Sequence, residues 1–327
     1  MIISRTPFRM SFFGGGTDYP DWYRKHGGAV LSTTFDKYTY VSCRQLPPFF
    51  DFKYRIAYSK LENTKTIDEI EHPAVRAVLR ETELECGLEV HCDADLPARS
   101  GLGSSSSFVV GLLNTLAAFQ GRRVTKQWLA DEAIRIEQDV LGEAVGSQDQ
   151  FAAALGGFNL IQFGRDGTVR AEPVIVPAAR KEELNRHLIL VFTGFSRFSS
   201  HIAEAQLESM KEKSPSLHRM RSMVDEALDL LESNRDIRGF GELLHEGWVH
   251  KRGLTNKISN ESIDAVYERA RRAGAIGGKL MGAGGGGFMM LFASPDKHGD
   301  IRDALDGLVH VPFKFETSGS QIVHYAP

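Results

Sequence analysis

Residues 88–119 read LEVHCDADLPARSGLGSSSSFVVGLLNTLAAF, and three textures follow one another along that stretch. In its first third Leu88, Val90 and Cys92 alternate with Glu89, His91 and Asp93, the period of a half-buried strand. In its last third apolar residues recur at 108/109, 112/113 and 116, with Gly121 as a stop, which predicts a buried helix. Between them lies LPARSGLGSSSS (96–107), a glycine- and serine-rich turn that feeds a helix N-terminus. The first turn of a helix has backbone N–H groups without partners and the positive end of the helix dipole, so it can hold phosphate. Gly101 and Gly103 let the chain approach an anion closely and adopt positive φ, and the serines add hydroxyl donors. No Gly-Lys-Ser/Thr follows, so this is not a Walker loop. Ser and Gly also favour ordinary helix caps, and the loop alone leaves both readings open.

Outward from this loop, two further stretches stand out. Residues 277–287, GGKLMGAGGGG, hold seven glycines in eleven positions. The string contains GxGxxG, but an expected helix precedes it and the strand FMMLFA follows, the reverse of a dinucleotide-binding turn. So compact a glycine string between ordered elements points to a close approach rather than a slack loop. Residues 7–20, PFRMSFFGGGTDYP, place Arg9 on a strand that ends in a triple glycine and Thr17-Asp18. Two acids sit near packed surface. Glu137 shares a helical face with Ala133 and Leu141, and Asp149 stands just ahead of an alanine run. A carboxylate on an apolar face needs a partner or a metal. One acid for Mg²⁺ and one for a hydroxyl proton are what phosphoryl transfer asks for. Each alone is as well read as a cap or a surface acid.

The whole chain agrees with a soluble globule. It has 327 residues, 42% apolar and 25% charged, with a net charge of −3. That balance gives no electrostatic case for nucleic acid or a membrane surface. Cys43, Cys86 and Cys92 are too few and too scattered for a disulfide framework. Arg5 and Arg9 interrupt what would be a signal peptide's apolar core, and the stretch 108–119 falls short of a membrane span. These features predict a cytoplasmic protein. Residues 29–43 read as strand and 125–141 as helix. After a connection near 175–185 come the strand HLILVFTG, helices near 197–212, 217–233, 236–251 and 260–273, and terminal strands. The expectation is an α+β chain of two lobes, 1–180 and 181–327.

In order along the chain, PFRMSFFGGGTDYP, LPARSGLGSSSS and GGKLMGAGGGGF resemble the three motifs of the GHMP kinase superfamily. The resemblance covers nearly the whole chain. It implies an N-terminal lobe like ribosomal protein S5 domain 2, a ferredoxin-like C-terminal lobe, and ATP with Mg²⁺ between them. It implies that Pro97, Ser100, Gly101, Leu102, Gly103, Ser104, Ser105, Ser106 and Ser107 form the ATP phosphate loop. By the same resemblance, Asp149 is the catalytic aspartate with Arg9 beside it, and Ser105 and Glu137 hold Mg²⁺. On the acceptor side it implies Gly14, Gly15, Gly16, Thr17 and Asp18, together with Gly284 and Gly285.

Gly15-Gly16 stand where galactokinase has Glu-His, which opens space and removes galactose contacts. FGGGTDYP, YSKLE (58–62), IEHPAVR (70–76) and FTGFSRFSS (192–200) look most like the D-glycero-D-manno-heptose 7-phosphate kinase branch. Those enzymes phosphorylate an anomeric hydroxyl on the way to nucleotide-activated heptose for surface polysaccharide. The implied partners are ATP and a sugar phosphate, with no nucleic acid or membrane and a homodimer as the possible assembly. A sugar phosphate needs extra cations, for which Arg197, Lys251, Arg252 and Lys257 are candidates. A fucokinase-like kinase, and a sugar sensor without turnover, are the rival readings.

Overall fold

Strand β1 (Ile2–Phe13) alternates between two faces. Phe8, Met10 and Phe12 enter a core cluster, while Arg9 and Ser11, one residue out of phase, line a cleft. This period-two division puts a cation and a hydroxyl on the open side of a strand whose other side is buried hydrocarbon. β1 lies antiparallel to the long β2 (Gly28–Gln45), with Arg9 opposite Thr34. The protein is described from a computed structural model, covering residues 1–82, 84, 86–194, 202, 203, 205 and 213–327.

The first sheet has nine strands. Its main path runs β13 (Gln321–Tyr325), β1, β2, β5 (Leu88–Ala94), β3 (Tyr54–Ala57), β4 (Leu61–Thr64). β6 (Phe158–Phe163) pairs with the first half of β2, β7 (Val169–Pro173) pairs with β6, and β12 (Phe315–Glu316) pairs with β2. The helices Pro73–Glu81, Ser104–Phe119, Lys126–Ile134 and Asp149–Leu155 cover one face around Val41, Val90, Val109, Leu112 and Phe151.

The second sheet has four antiparallel strands in the order β11 (Val309–His310), β8 (Leu188–Phe192), β10 (Phe288–Phe292), β9 (Gly277–Leu280). Taken along the chain that order is 4-1-3-2, with helices between first and second and between third and fourth strands, the arrangement of a ferredoxin-like lobe. The α+β expectation therefore stands. The helices near 217–233, 236–251 and 260–273 run Ser214–Glu232, Arg238–Arg252 and Glu261–Arg272. The one near 197–212 falls largely outside the described residues.

Two expectations change. The stretch near 175–185 is a helix, Ala178–His187, rather than a plain connection. The division into 1–180 and 181–327 does not follow the sheets, because β12 and β13 return to the first one. Ser320, buried, fixes that return. Its hydroxyl accepts from Thr6 at 2.8 Å and from Asn114 at 3.0 Å, and its carbonyl accepts from Lys126.

Candidate active site

The strand–turn–helix of residues 88–119 forms as its pattern demands. The helix begins at Ser104 with Gly103 as its cap (φ 78°), and Gly101 is also left-handed at 82°. A side chain at Gly103 would come 3.1 Å from Arg9 Cγ and 3.3 Å from Asp149 Oδ2. Only glycine lets the loop lie this close to the acid. Arg99 holds a positive φ of 58° without being glycine, a strain of the kind concentrated at functional loops.

Arg9 and Asp149 meet directly. Arg9 Nε and Nη2 donate to Asp149 Oδ1 and Oδ2, each at 2.7 Å, and Nη1 donates to the Gly101 carbonyl at 2.6 Å. One guanidinium thus joins the acid to the glycine loop. The side chains of Arg9 and Asp149 are 6% and 22% exposed, so the acid keeps an open edge. Both line a single cleft with Gly101, Gly103, Ser104, Ser105 and Ser106.

Glu137 lies behind this wall, fully buried. The helix Lys126–Ile134 continues as a π-turn, Arg135–Val140, closed by Leu141 N–H on the Ile136 carbonyl at 2.9 Å. A π-turn re-aims side chains that a regular helix would set elsewhere. Glu137 Oε2 accepts from Ser106 Oγ at 2.8 Å and from the Gln150 amide at 2.5 Å, whereas Oε1 has no partner. Burial pushes the carboxyl up to about 7, against the lowering effect of those two hydrogen bonds. A buried orphan oxygen beside a hydroxyl fits a divalent cation, since Mg²⁺ takes one or two carboxylates and completes its shell with water and phosphate. The serine joined to Glu137 is Ser106, not the expected Ser105, which is exposed at the cleft. In a helix the side chains of consecutive residues point about 100° apart, so one step along the run changes the partner.

Other members of the expected set separate in the same way. Ser107 turns inward and donates to the Pro7 carbonyl at 3.0 Å, tying the helix to β1. Leu102 is core, and Pro97 does not line the cleft. The Ser100 carbonyl accepts from Phe288 N–H at 3.1 Å. Gly15, Gly16 and Asp18 line the cleft, whereas Gly14 packs on Ala29. Thr17 Oγ1 is used within the turn, donating to the Gly14 carbonyl at 2.7 Å and accepting from Ala29 N–H at 3.2 Å. It shapes the turn rather than facing the cleft.

Asp18 accepts from Gly16 N–H at 2.8 Å and from Gln148 Nε2 at 2.7 Å. Burial and the charge of Asp149 raise its pKa. Gly284 packs on Ile258, whose carbonyl accepts from Gly285 N–H at 2.8 Å, and neither glycine lines the cleft, which Gly282 and Ala283 do. The close approach predicted for the second glycine loop is onto the first. A side chain at Gly282 would lie 2.4 Å from Gly101 Cα, and one at Gly287 would lie 2.3 Å from the Ser100 carbonyl.

Of the candidate cations, Lys251 lines the cleft. Arg252 pairs with Asp264 at 2.9 Å, Lys257 is exposed elsewhere, and Arg197 lies outside the described residues. Lys279, Gln148, Gln150 and Tyr19 were not singled out by their sequence context. Gln148 and Gln150 flank Asp149 and reach opposite ways, and Lys279 stands within the second glycine string.

The chain matches the model for the N-terminal domain of GHMP kinases over residues 69–157 and the C-terminal model over 224–309. It is 30% identical to the D-glycero-alpha-D-manno-heptose 7-phosphate kinase of Campylobacter jejuni, across 93% of each chain. The chain belongs to the GHMP kinase family. As a GHMP kinase it is an ATP-dependent phosphotransferase with an alcohol group as acceptor. A second relative of this GHMP kinase is L-fucokinase/L-fucose-1-P guanylyltransferase of Bacteroides fragilis, 27% identical over 90% of this chain and 34% of that longer protein. The fold matches a crystal structure of a D-glycero-D-manno-heptose 1-phosphate kinase from Bacteroides thetaiotaomicron, with a TM-score of 0.75 over the whole of both chains at 24% identity. Among the described residues no helix is long and apolar enough to cross a membrane.

Proposed function

We propose that this kinase phosphorylates the anomeric (C1) hydroxyl of D-glycero-D-manno-heptose 7-phosphate. The product is the 1,7-bisphosphate, a precursor of nucleotide-activated heptose for surface polysaccharide. The observation that carries the reading is the Arg9–Asp149 pair, which lies against Gly101 and Gly103 on one cleft wall. Support for the acceptor comes from the Campylobacter jejuni relative and from Gly15-Gly16, which leave the acceptor side without bulk. The setting is the cytoplasm.

The free N–H groups at the start of the helix Ser104–Phe119 receive the phosphates of ATP. Ser106 and Glu137 would hold Mg²⁺, with Ser105 facing the phosphates. The metal supplies charge neutralisation on the phosphate oxygens. In the transfer the C1 oxygen forms a bond to the γ-phosphorus as the bond from that phosphorus to the β–γ bridging oxygen breaks. The electron pair leaves with ADP. Asp149 orients the hydroxyl and accepts its proton through lone pairs not used by Arg9. Electrostatic stabilisation by the loop and Arg9 contributes most to the rate.

A panel of sugars with and without a terminal phosphate tests the acceptor. Heptose 7-phosphate is expected to give the highest kcat/KM. A higher value for unphosphorylated fucose or galactose overturns the acceptor and favours the fucokinase-like reading. Absence of ADP formation with every sugar favours the sensor.

A further inference from the structure

Two lysines on the cleft wall have no ion-pair partner among the described residues. Lys251, at the end of the helix Arg238–Arg252, donates from Nζ to the Leu280 carbonyl at 3.0 Å and to the Gly282 carbonyl. Lys279, on β9, donates to the Ser11 carbonyl at 2.9 Å and the Phe12 carbonyl at 3.0 Å. Each residue is 8% exposed, and each lines the cleft. Among the described residues neither has a carboxylate oxygen within 4.0 Å. The nearby acid, Asp18, is already bonded to Gly16 and Gln148. An ammonium has three donors, and two carbonyls leave one N–H on each lysine.

Burying an unpaired charge is costly, and burying two on the wall of one cleft is more so. The strain is visible in the lysines themselves. Desolvation, with Lys279 and Arg9 adding like charge to Lys251 and Arg9 to Lys279, pulls Lys251 well below its ordinary value and Lys279 down to about 7, and the opposite charge of Asp18 offsets only part of this. A fold that keeps such a pair on a cleft wall is arranged for an anion that arrives with the ligand. A phosphate dianion between them would turn two unpaired charges into charge-assisted hydrogen bonds.

The position favours the acceptor's side of the cleft. The carbonyls that hold Lys279 belong to the strand running into the 14–18 turn. Ser11, which supplies one of them, also donates from its hydroxyl at 2.5 Å to Gln148, the residue that holds Asp18. We propose that Lys251 and Lys279 together seat the phosphate that the acceptor already carries, and so select a sugar phosphate over the free sugar. This rests on the sugar-phosphate reading above. Gly282 also touches Gly101, so a phosphate of ATP is a second source of the same chemistry, and the experiment separates the two.

Lys279→Met and Lys251→Met are compared with the unaltered protein on D-glycero-D-manno-heptose 7-phosphate and on unphosphorylated D-glycero-D-manno-heptose, with AMPPNP affinity measured by calorimetry. Losing a buried charged partner typically costs 30-fold or more, roughly, in binding. The expected result is a fall of about that size in kcat/KM for the 7-phosphate alone, so that the preference over the free sugar collapses while AMPPNP affinity holds. A preference that survives both substitutions overturns the seat and leaves the substrate reading intact. An equal loss of AMPPNP affinity assigns the lysines to the nucleotide and also overturns it. An unaltered enzyme with no preference for the 7-phosphate overturns both readings. Lys279→Arg and Lys251→Arg keep the charge. If either Met variant fails to fold, the other carries the same comparison, with recovery of the preference in the Arg variants as the supporting result.

Discussion

Asp149 commits both carboxylate oxygens to Arg9 and still faces the cleft. The pair fixes the direction of the remaining lone pairs, which is what a base that orients a hydroxyl requires. Asp149→Asn keeps the shape and loses the charge. Its kcat is expected to fall by about 10²–10⁴-fold, with AMPPNP affinity retained, as steady-state kinetics and calorimetry will check.

Glu137 makes the opposite case, a carboxyl that burial holds near 7. A folded-state pKa above the unfolded value means that the native protein binds the extra proton between the two. Stability is then greatest below about pH 4.5 for this group and is lost as pH rises toward 7. The full loss is about 3 kcal/mol at 1.36 kcal/mol per unit. Without metal, the unfolding midpoint of the native sequence should therefore drop between pH 5 and 7 more than that of Glu137→Gln. Parallel melting curves for the two proteins contradict this.

The N-terminus of the helix Ser104–Phe119 divides its four serines among different tasks. Ser104 and Ser105 face the cleft, Ser106 reaches both the cleft and Glu137, and Ser107 anchors the helix to β1. Ser106→Ala should raise the Mg²⁺ concentration needed for half-maximal rate more than Ser105→Ala does, a comparison made by titrating Mg²⁺ at fixed ATP. The glycine loop ahead of the helix is as constrained. A methyl group at Gly101 would meet the Met281 carbonyl at 2.4 Å, on a backbone whose φ is already 82°. Gly101→Ala must push the two glycine loops apart. It is expected to cost about 1–3 kcal/mol in stability, measured by denaturant unfolding, and to weaken AMPPNP binding.

At the scale of the molecule, one hydrophobic cluster runs from Phe8, Met10, Phe12 and Phe35 of the first sheet to Leu190, Phe240, Phe288 and Phe292 of the second lobe. The cleft lies over this shared core, so the first and third motifs meet on a rigid base. The chain then returns to the first sheet through β12 and β13, where β13 covers the outer edge of β1. Deleting residues 313–327 bares that edge and removes Ser320, leaving Thr6, Asn114 and Lys126 without the partner they share. The unfolding midpoint should fall by about 10 °C or more, as thermal unfolding followed by circular dichroism will measure.

Much of this was legible in the chain. Alternation marked β5, the β-branched and aromatic run 29–43 marked β2, apolar spacing marked the helices after Gly103 and Thr125 and those near 217–233, 236–251 and 260–273, and three motifs in order pointed to the family. Each of these is a local pattern that the backbone reads within one element. Which serine touches Glu137, that Thr17 is spent inside its own turn, that Gly284 and Gly285 meet Ile258, and that Lys279 reaches the cleft were not legible. Those outcomes depend on the π-turn at 135–140, on the packing of one glycine loop against the other, and on strands joined across more than 250 residues. The sequence by itself determined the kinds of element and the chemical groups at hand. Only the tertiary structure decided which groups share a cleft, because distance and burial arise when remote segments pack and no local period encodes them.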